Sequence, residues 1–170
     1  MTMSDKRNYR SMRLSAGLFS VCLVCLLVWL TSCDPDMVYE KNKETDPAGW
    51  SAGDIIKFNV EIADTVTPHN FYLNIRTTAD YKYANLFLFL RTLYPSGEMS
   101  SDTLECYLAD VDGRWLGKRS GSKIDNRILF RKNFRFRQSG IYSFEFEQGM
   151  RDSLLKEVSD FGIRIEKANP

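Results

Sequence analysis

The sequence predicts an all-β protein: an antiparallel β-sandwich of jelly-roll type, with one short helix near the C-terminus. Apolar and polar residues alternate with a period of two in roughly eight short segments after Trp50, which is the pattern of strands with one wet face. The segments follow one another at the spacing of hairpins, so the crossover helices of a parallel sheet have no room. A helical pattern of about two turns occurs only at residues 151–159 (RDSLLKEVS).

The predicted strands follow one another in chain order. In 56–62 apolar residues alternate with polar ones, and 71–76 repeats the pattern. Residues 85–93 are apolar on both faces, which predicts a central strand covered on both sides. Cys106 falls on the apolar side of a further alternating segment, so we expect it to be a small buried side chain. The later segments are 103–109, 128–130, 134–137, 142–147 and 161–166.

The first 32 residues have the pattern of a secretory signal peptide: a basic start with four cations, then an uncharged apolar run. The run ends in LTSC at 30–33, which resembles the bacterial lipobox and predicts lipidation of Cys33 by diacylglycerol. The alternative is an uncleaved transmembrane anchor, because ~20 apolar residues just span a bilayer. We predict a lipoprotein signal peptide at 1–32, a flexible membrane tether rich in charge, Pro and Gly at 33–49, and a single β-sandwich domain at 50–170.

Composition excludes several classes of function. The 170 residues carry 23 basic and 22 acidic side chains; removal of residues 1–32 takes four basic and one acidic residue and leaves a net charge of −2. A mildly acidic protein has no general electrostatic basis for binding nucleic acid. The one histidine, His69, argues against multi-histidine metal sites, and its position between Pro68 and Asn70 predicts an exposed turn. We predict no cofactor, because no cofactor-binding motif is present.

Asp110 and Asp112 are spaced like the first two ligands of a calcium loop. The bidentate glutamate that should follow is missing, and Asp-Gly is also the commonest hairpin turn. We favour the turn, with a calcium site at these two residues as the alternative.

Residues that are typical of protein interfaces occur in three places. The loop after Asp112 combines a tryptophan with arginines, the usual hot-spot residues, although its tryptophan is equally suited to capping one end of the sandwich. The polar positions of the second strand and two nearby tyrosines are the other candidates. The candidate contacts are Arg114, Trp115 and Arg119 in the loop, Tyr72, Asn74 and Arg76 on the strand, and Tyr81 and Tyr83 beyond it.

A basic strip lies late in the sequence, where phenylalanines are interleaved with cations. Such a mixture is found in proteins that bind single-stranded nucleic acid, but an exported lipoprotein meets little of it. We favour a strand with Phe facing in and Arg facing out; otherwise the strip would face an acidic protein or lipid headgroups. The cations are Arg127, Arg131, Lys132, Arg135 and Arg137.

Nearly the whole chain after the signal contains short blocks that together are characteristic of one family. The blocks are CDP at 33–35, VYE at 38–40, Trp50, DT at 64–65, NFYLNIR at 70–76, DYKYANLF at 80–87, DTLE at 102–105, LADVDGRWLG at 108–117, FEQ at 146–148, MR at 150–151 and DFGIRIEK at 160–167. Each block alone is unspecific, and together they are specific. With these blocks the chain resembles the gliding-motility lipoprotein H (GldH) family.

The resemblance implies an outer-membrane lipoprotein that supports gliding motility and type IX protein secretion as an accessory part of an envelope machine. It implies no catalytic residue, and only the lipidated cysteine carries over, onto Cys33. We therefore predict a lipid-anchored, non-enzymatic envelope protein. We expect it to bind the membrane through the lipid on Cys33 and to bind envelope proteins, such as other gliding or secretion lipoproteins. The alternative is a surface carbohydrate-binding module of jelly-roll type.

Overall fold

The computed structural model describes residues 34–168, and its regular structure there consists of β-strands without a helix. The all-β prediction is confirmed. Cys33 and the predicted signal peptide lie outside the described residues. Eight strands are long and three are short. The long ones are β1 (Met37–Glu44), β3 (Ile56–Ile62), β4 (His69–Thr78), β5 (Asn85–Leu93), β6 (Met99–Tyr107), β8 (Lys123–Phe134), β9 (Gly140–Gln148) and β11 (Val158–Lys167); the short ones are β2 (Trp50–Ser51), β7 (Lys118–Ser120) and β10 (Leu154–Leu155).

The long strands form two antiparallel sheets. One has the order β1-β11-β4-β8, extended at its edge by β7, and the other has the order β3-β9-β5-β6. Numbered among themselves, the eight long strands are ordered 1-8-3-6 and 2-7-4-5, which is the jelly-roll arrangement of two facing sheets. A separate two-stranded sheet pairs β2 with β10.

The core lies between the inner faces of the two sheets, and alternate residues of β3, β4 and β5 are buried in it. Phe161 of β11 is at the centre of an aromatic cluster, with its ring centroid 5.4 Å from that of Trp50, 6.1 Å from Phe58 and 4.8 Å from Phe146. The free Cys106 is buried in this core, as expected. Burial raises the pKa of its thiol to about 12, so the group is neutral and unreactive at ordinary pH.

The strand directions bring the beginning of β1 together with three connections at one end of the sandwich. This N-terminal end comprises Asp36 and the loops 63–68, 94–98 and 135–139. The backbone N–H of Lys167 donates to the carbonyl of Asp36 at 2.8 Å, and Lys167 in turn pairs with His69. The opposite end carries the connections 45–55, 79–84, 108–117 and 149–157.

Residues 37–44, which the sequence places in a flexible tether, form strand β1 of the first sheet. β1 pairs with β11 from Met37–Glu166 to Glu44–Asp160. It is an edge strand, and nearly all its side chains are at least partly exposed, so it lacks the apolar alternation that marks a half-buried strand. Only residues 34–36 separate Cys33 from the folded domain.

The predicted helix at 151–159 is wrong. Leu154 and Leu155 form β10, whose partners are Ser51 and Trp50, and Glu157 then turns the chain into β11 with a positive φ of 66°. Leu155 is buried whereas Leu154 is exposed, the alternation of a strand. Two leucines in a nine-residue segment cannot distinguish one helical turn from a short strand, and packing against Trp50 decides the matter. Within residues 34–168, no helix has the length and hydropathy to cross a membrane.

The strand predicted to be covered on both sides, β5, is central in its sheet but buried on one face only. Leu86, Leu88 and Leu90 face the core, whereas Phe89 is 49% exposed on the outer face. The apolar run at 85–93 predicts burial of both faces of the strand. The sandwich has only two layers, so no layer covers the outer face of β5.

His69 is buried rather than exposed in a turn. It is the first residue of β4, its side chain is 0% exposed, and its ring packs against Phe134 and Phe136. Neither ring nitrogen has a hydrogen-bond partner within the described protein. Burial lowers the pKa of His69, with the carboxylate of Asp64 opposing and Lys167 adding to the shift.

The lowered pKa of His69 predicts that stability falls on mild acidification. Between its folded pKa and about 6.5 the unfolded chain binds more protons, so the free energy of unfolding decreases as pH falls, by at most about 1.4 kcal/mol per unit. Because His69 is the only histidine, thermal melts between pH 8 and 5.5 isolate its contribution. The dependence should be largely absent in His69→Phe; an equal dependence in both proteins would contradict the assignment.

Candidate functional site

The outer face of the five-stranded sheet brings together three sequence-predicted contact residues that lie on one strand. Along β4 the side chains of Phe71, Leu73 and Ile75 enter the core. The alternate residues Tyr72, Asn74 and Arg76 consequently lie together on the outer face, as predicted from the period-two pattern.

The strand register arranges this face in three rows that cross β1, β11, β4 and β8. Directly paired residues within a row are close enough for their side chains to interact. The first row is Glu40, Arg164, Tyr72 and Leu129; the second is Asn42, Gly162, Asn74 and Arg127; the third is Glu44, Asp160, Arg76 and Asp125.

Glu40 joins the first two rows through its two carboxylate oxygens. One oxygen accepts from Arg164 at 2.6 Å, and the other accepts from Arg127 at 3.0 Å and from Asn74 Nδ2 at 3.1 Å. Arg164 is only 7% exposed, and its Nε donates to Glu166 at 2.8 Å. Two carboxylates therefore neutralise a buried guanidinium, which is needed because an unpaired buried charge is strongly unfavourable.

The third row is a second group of ion pairs. The Arg76 guanidinium is hydrogen-bonded to Asp125, which raises its pKa, and Arg76 Nη1 lies 3.7 Å from Asp160. Lys123 Nζ lies 3.6 Å from the same carboxylate of Asp160. Burial, together with the carboxylate of Glu166, raises the pKa of Tyr72, so its hydroxyl remains a donor at neutral pH.

Gly162 leaves room for the side chain of Asn42 in the middle row. A Cβ on this residue would lie 1.8 Å from Asn42 Oδ1 and 2.6 Å from the Lys41 carbonyl oxygen, so the Asn42 side chain occupies the space that any other residue would need. Asn42 Oδ1 accepts from Asn74 Nδ2 at 3.2 Å across the glycine. A groove of about 390 Å³ runs over this part of the face, from Glu40 to Lys118.

The second candidate surface, the loop with Trp115, lies at the end of the sandwich opposite to the chain start. Trp115 is half-buried against the core and forms a bridge with Ala109, while the N–H of Leu116 donates to Leu108 at 2.9 Å. Arg114 and Arg119 are exposed, and Arg119 belongs to edge strand β7. This loop and the face with Tyr72 are separate surfaces.

Asp110 organises the turn at the tip of that loop. One of its carboxylate oxygens accepts from the backbone N–H groups of Asp112 at 2.9 Å and Arg114 at 2.8 Å, and Gly113 has a positive φ of 77°. The Asp112 carboxylate lies 3.6 Å from Arg114. These are the contacts of an Asx-type turn, as favoured from the sequence. Nowhere in residues 34–168 do three or more His, Cys, Asp or Glu side chains come together to hold a metal ion.

Tyr81 is part of the core rather than of a contact surface. It is 4% exposed, its hydroxyl donates to the Asn85 carbonyl at 3.0 Å, and burial raises its pKa. Tyr83 is half-buried next to it and donates to Asp152 at 2.8 Å. Residues 79–84 link β4 in one sheet to β5 in the other. The side chains of Tyr81 and Tyr83 pack this link against the core.

Sequence reasoning missed Glu40, Arg127 and Arg164 as members of the polar face. Glu40 was placed in a tether, and Arg127 was considered only as part of a basic strip. Arg164 alternates with Ile163 and Ile165 in a predicted strand, so its outward direction was available from the pattern. Its pairing with a residue 124 positions away was not.

Comparison with known proteins gives the family. A family model described as GldH lipoprotein matches residues 37–165, which is β1 to β11 almost to its end. The chain belongs to the GldH lipoprotein family. It is 31% identical over 159 residues to "Gliding motility lipoprotein GldH homolog" of Christiangramia forsetii, covering 89% of this chain and 97% of the relative. It is 28% identical over 152 residues to "Gliding motility lipoprotein GldH" of Flavobacterium johnsoniae, covering 85% and 94%.

Two solved structures resemble this GldH-family domain remotely. One is a family GH115 4-O-methyl-α-glucuronidase, with a TM-score of 0.40 and 12% identity, of which the chain spans 18%. The other is the VP2 subviral particle of infectious bursal disease virus, with a TM-score of 0.33, 12% identity and 30% of that chain covered. Similarities at this level carry no argument about function.

Proposed function

We propose that this GldH-family protein is a non-enzymatic component of the cell envelope, anchored in the outer membrane by lipid on Cys33. It supports gliding motility or type IX secretion-associated machinery through protein–protein contacts. The names of the two relatives, both gliding motility lipoproteins, and the lipobox at 30–33 support the anchored, motility-related role.

The network around Glu40 is the observation that favours the outer face of the five-stranded sheet as the contact surface. Its side chains come from four strands and are already fixed by hydrogen bonds to one another. A partner that binds there orders few additional side chains, so little conformational entropy is lost on association. The groove that Glu40, Asn74 and Arg127 line supplies the concave shape that a protruding partner side chain requires.

The chemistry of this face suits a protein partner. Tyr72 and the 43% exposed Leu129 are neighbours in the first row, so an apolar contact lies beside the charged network. Interfaces commonly combine such an apolar centre with a polar surround. The paired charges would impose register on the partner rather than supply most of the affinity. Arg114 and Arg119, at the opposite end, are a second candidate contact region.

The carbohydrate-binding alternative requires an aromatic platform. Among the aromatic side chains that the structure describes, the exposed ones are Phe89 and Tyr107. They belong to different strands: Phe89 is opposite Thr103, and Tyr107 is opposite Asn85. Phe89 is therefore separated along the sheet from Tyr107, and no observation on this structure favours a glycan over a protein as the ligand.

Leu129→Arg tests the contact face. We expect at least a ten-fold lower recovery of cross-linked partners from native envelopes, because a charge would replace an apolar contact worth about 2 kcal/mol if it is a hot spot. Phe89→Arg is the matched control, since it makes a similar change at a similarly exposed position on the other sheet. Circular dichroism should show both variants folded. Recovery from Leu129→Arg equal to that of the wild type would remove this face from the proposal.

A further inference from the structure

The N-terminal end of the sandwich is held close to any lipid on Cys33. Asp36 is hydrogen-bonded to Lys167, and Met37 already pairs in β1. The chain from Cys33 to Met37 therefore spans at most about 14 Å even when fully extended. If Cys33 carries the lipid, this end of the domain is restricted to the vicinity of the bilayer.

Several exposed apolar side chains lie at this end. Leu93 and Met99 are directly paired on the outer face of the four-stranded sheet, and Ile141 is on the adjacent strand β9 near its start. Val66 is exposed in the loop 63–68. The opposite end also exposes apolar side chains (Ile55, Val111, Leu116 and Leu154), so the apolar residues alone do not mark a contact surface, and the cations beside them distinguish the N-terminal end.

Cations lie beside these apolar residues. Arg135 donates from Nε to the Val66 carbonyl at 2.8 Å, so its guanidinium is fixed next to the exposed valine. Lys132 and Arg137 are exposed and form no ion pair within residues 34–168. Arg131 lies over the Phe130 ring at 5.1 Å. As predicted, Phe130, Phe134 and Phe136 turn inwards, and they line a cavity of about 320 Å³ between the arginines.

Carboxylates are also present at this end, and their contacts decide the local balance of charge. Asp102 lies 3.4 Å from Arg131. Asp64 accepts from the backbone N–H groups of Val66 and Thr67, each at 2.9 Å, and hydrogen bonds with Thr67 and Val66 lower its pKa to about 2. Asp36, Glu61, Glu98 and Glu166 complete the acidic set. The cations nevertheless remain grouped in one segment, 131–137, beside the apolar rim.

We propose that the N-terminal end of the domain lies against the bilayer surface, with segment 131–137 facing anionic phospholipid headgroups and the exposed apolar side chains entering the interface. Apolar burial and attraction to anionic lipid are the two terms that hold proteins in this position. This inference rests on the proposed lipidation of Cys33. It leaves the Arg114 and Trp115 loop pointing away from the membrane.

Depth-dependent fluorescence quenching on the full lipidated protein tests this orientation. Ser139→Cys places a bimane label at the N-terminal end, and Ser122→Cys places one at the opposite end; the buried Cys106 thiol remains unlabelled. The labelled protein is reconstituted into vesicles of phosphatidylethanolamine and phosphatidylglycerol that contain brominated lipid and no other protein. We expect strong quenching at position 139 and none at 122. Equal quenching at the two positions, or none at 139, would overturn the inference and leave the surface to a protein partner.

Charge reversal distinguishes seating on anionic lipid from simple tethering. Lys132→Glu with Arg137→Glu should shift the equilibrium away from the seated state by about 30-fold, the equivalent of about 1 kcal/mol for each lost cation. Arg151→Glu with Lys156→Glu, the same change at the opposite end, should have no effect. Incorporation of a fatty-acid label, lost in Cys33→Ala, reports the anchor separately. A labelled anchor without position-139 quenching overturns only the inference, whereas an unlabelled wild type overturns the anchoring as well.

Discussion

Phe161→Ala is expected to lower the free energy of unfolding by about 3 to 5 kcal/mol, a large part of the 5 to 15 kcal/mol typical of a domain. Phe161 is fully buried, and its ring contacts Trp50, Phe58 and Phe146. These partners come from β2, β3 and β9, so the ring joins both large sheets and the two-stranded β2–β10 sheet. Phe161 itself lies on β11 between β1 and β4, and Phe146 lies on β9 between β3 and β5, which limits how far the cavity can collapse.

Equilibrium unfolding by urea, followed by circular dichroism, measures this effect. Phe89→Ala is the control, because it removes the same side chain from an exposed position of β5, and we expect a loss below about 1 kcal/mol. Similar losses in the two variants would contradict the central role of the Phe161 ring. Should Phe161→Ala not fold, Phe161→Leu is expected to fold with a smaller loss of the same sign.

Gly162→Val is expected to destabilise the protein by about 3 kcal/mol, although valine normally favours strands. The new Cβ would lie 2.6 Å from the carbonyl oxygen of Lys41. This atom belongs to the backbone of β1, so rotation of a side chain cannot remove the overlap. We expect β1 to be displaced from β11, and the hydrogen bonds of Glu40 to Arg164 and Arg127 to be lost with it.

Hydrogen exchange and unfolding together test the Gly162 prediction. Amide protection should fall along β1 while β4 and β8 remain protected, and partner recovery should fall as in Leu129→Arg. Ser101→Val is the matched control, since Ser101 is exposed on the outer face of the other sheet and a valine there has room. If amide protection along β1 were unchanged in Gly162→Val, the lack of a side chain at position 162 would not be required for the pairing of β1 with β11.

Local patterns identified most of the fold because each depends on neighbouring residues. Period-two alternation predicted the strand class, the burial of Cys106 and the outward direction of Tyr72, Asn74 and Arg76. It failed at two places. β1 is an exposed edge strand without an apolar side, and His69 lies two residues before the strand predicted at 71–76, although its burial continues the same alternation.

The sequence alone therefore determined the all-β class and the residues that alternate outwards on β4, and it predicts a lipobox before the domain. Only the tertiary structure decided which strands are neighbours, because pairing depends on contacts between distant parts of the chain that share one core. Glu40 meets Arg127 across 87 positions and Arg164 across 124. The tertiary structure also decided at which end of the sandwich β1 begins, because antiparallel pairing imposes the strand directions.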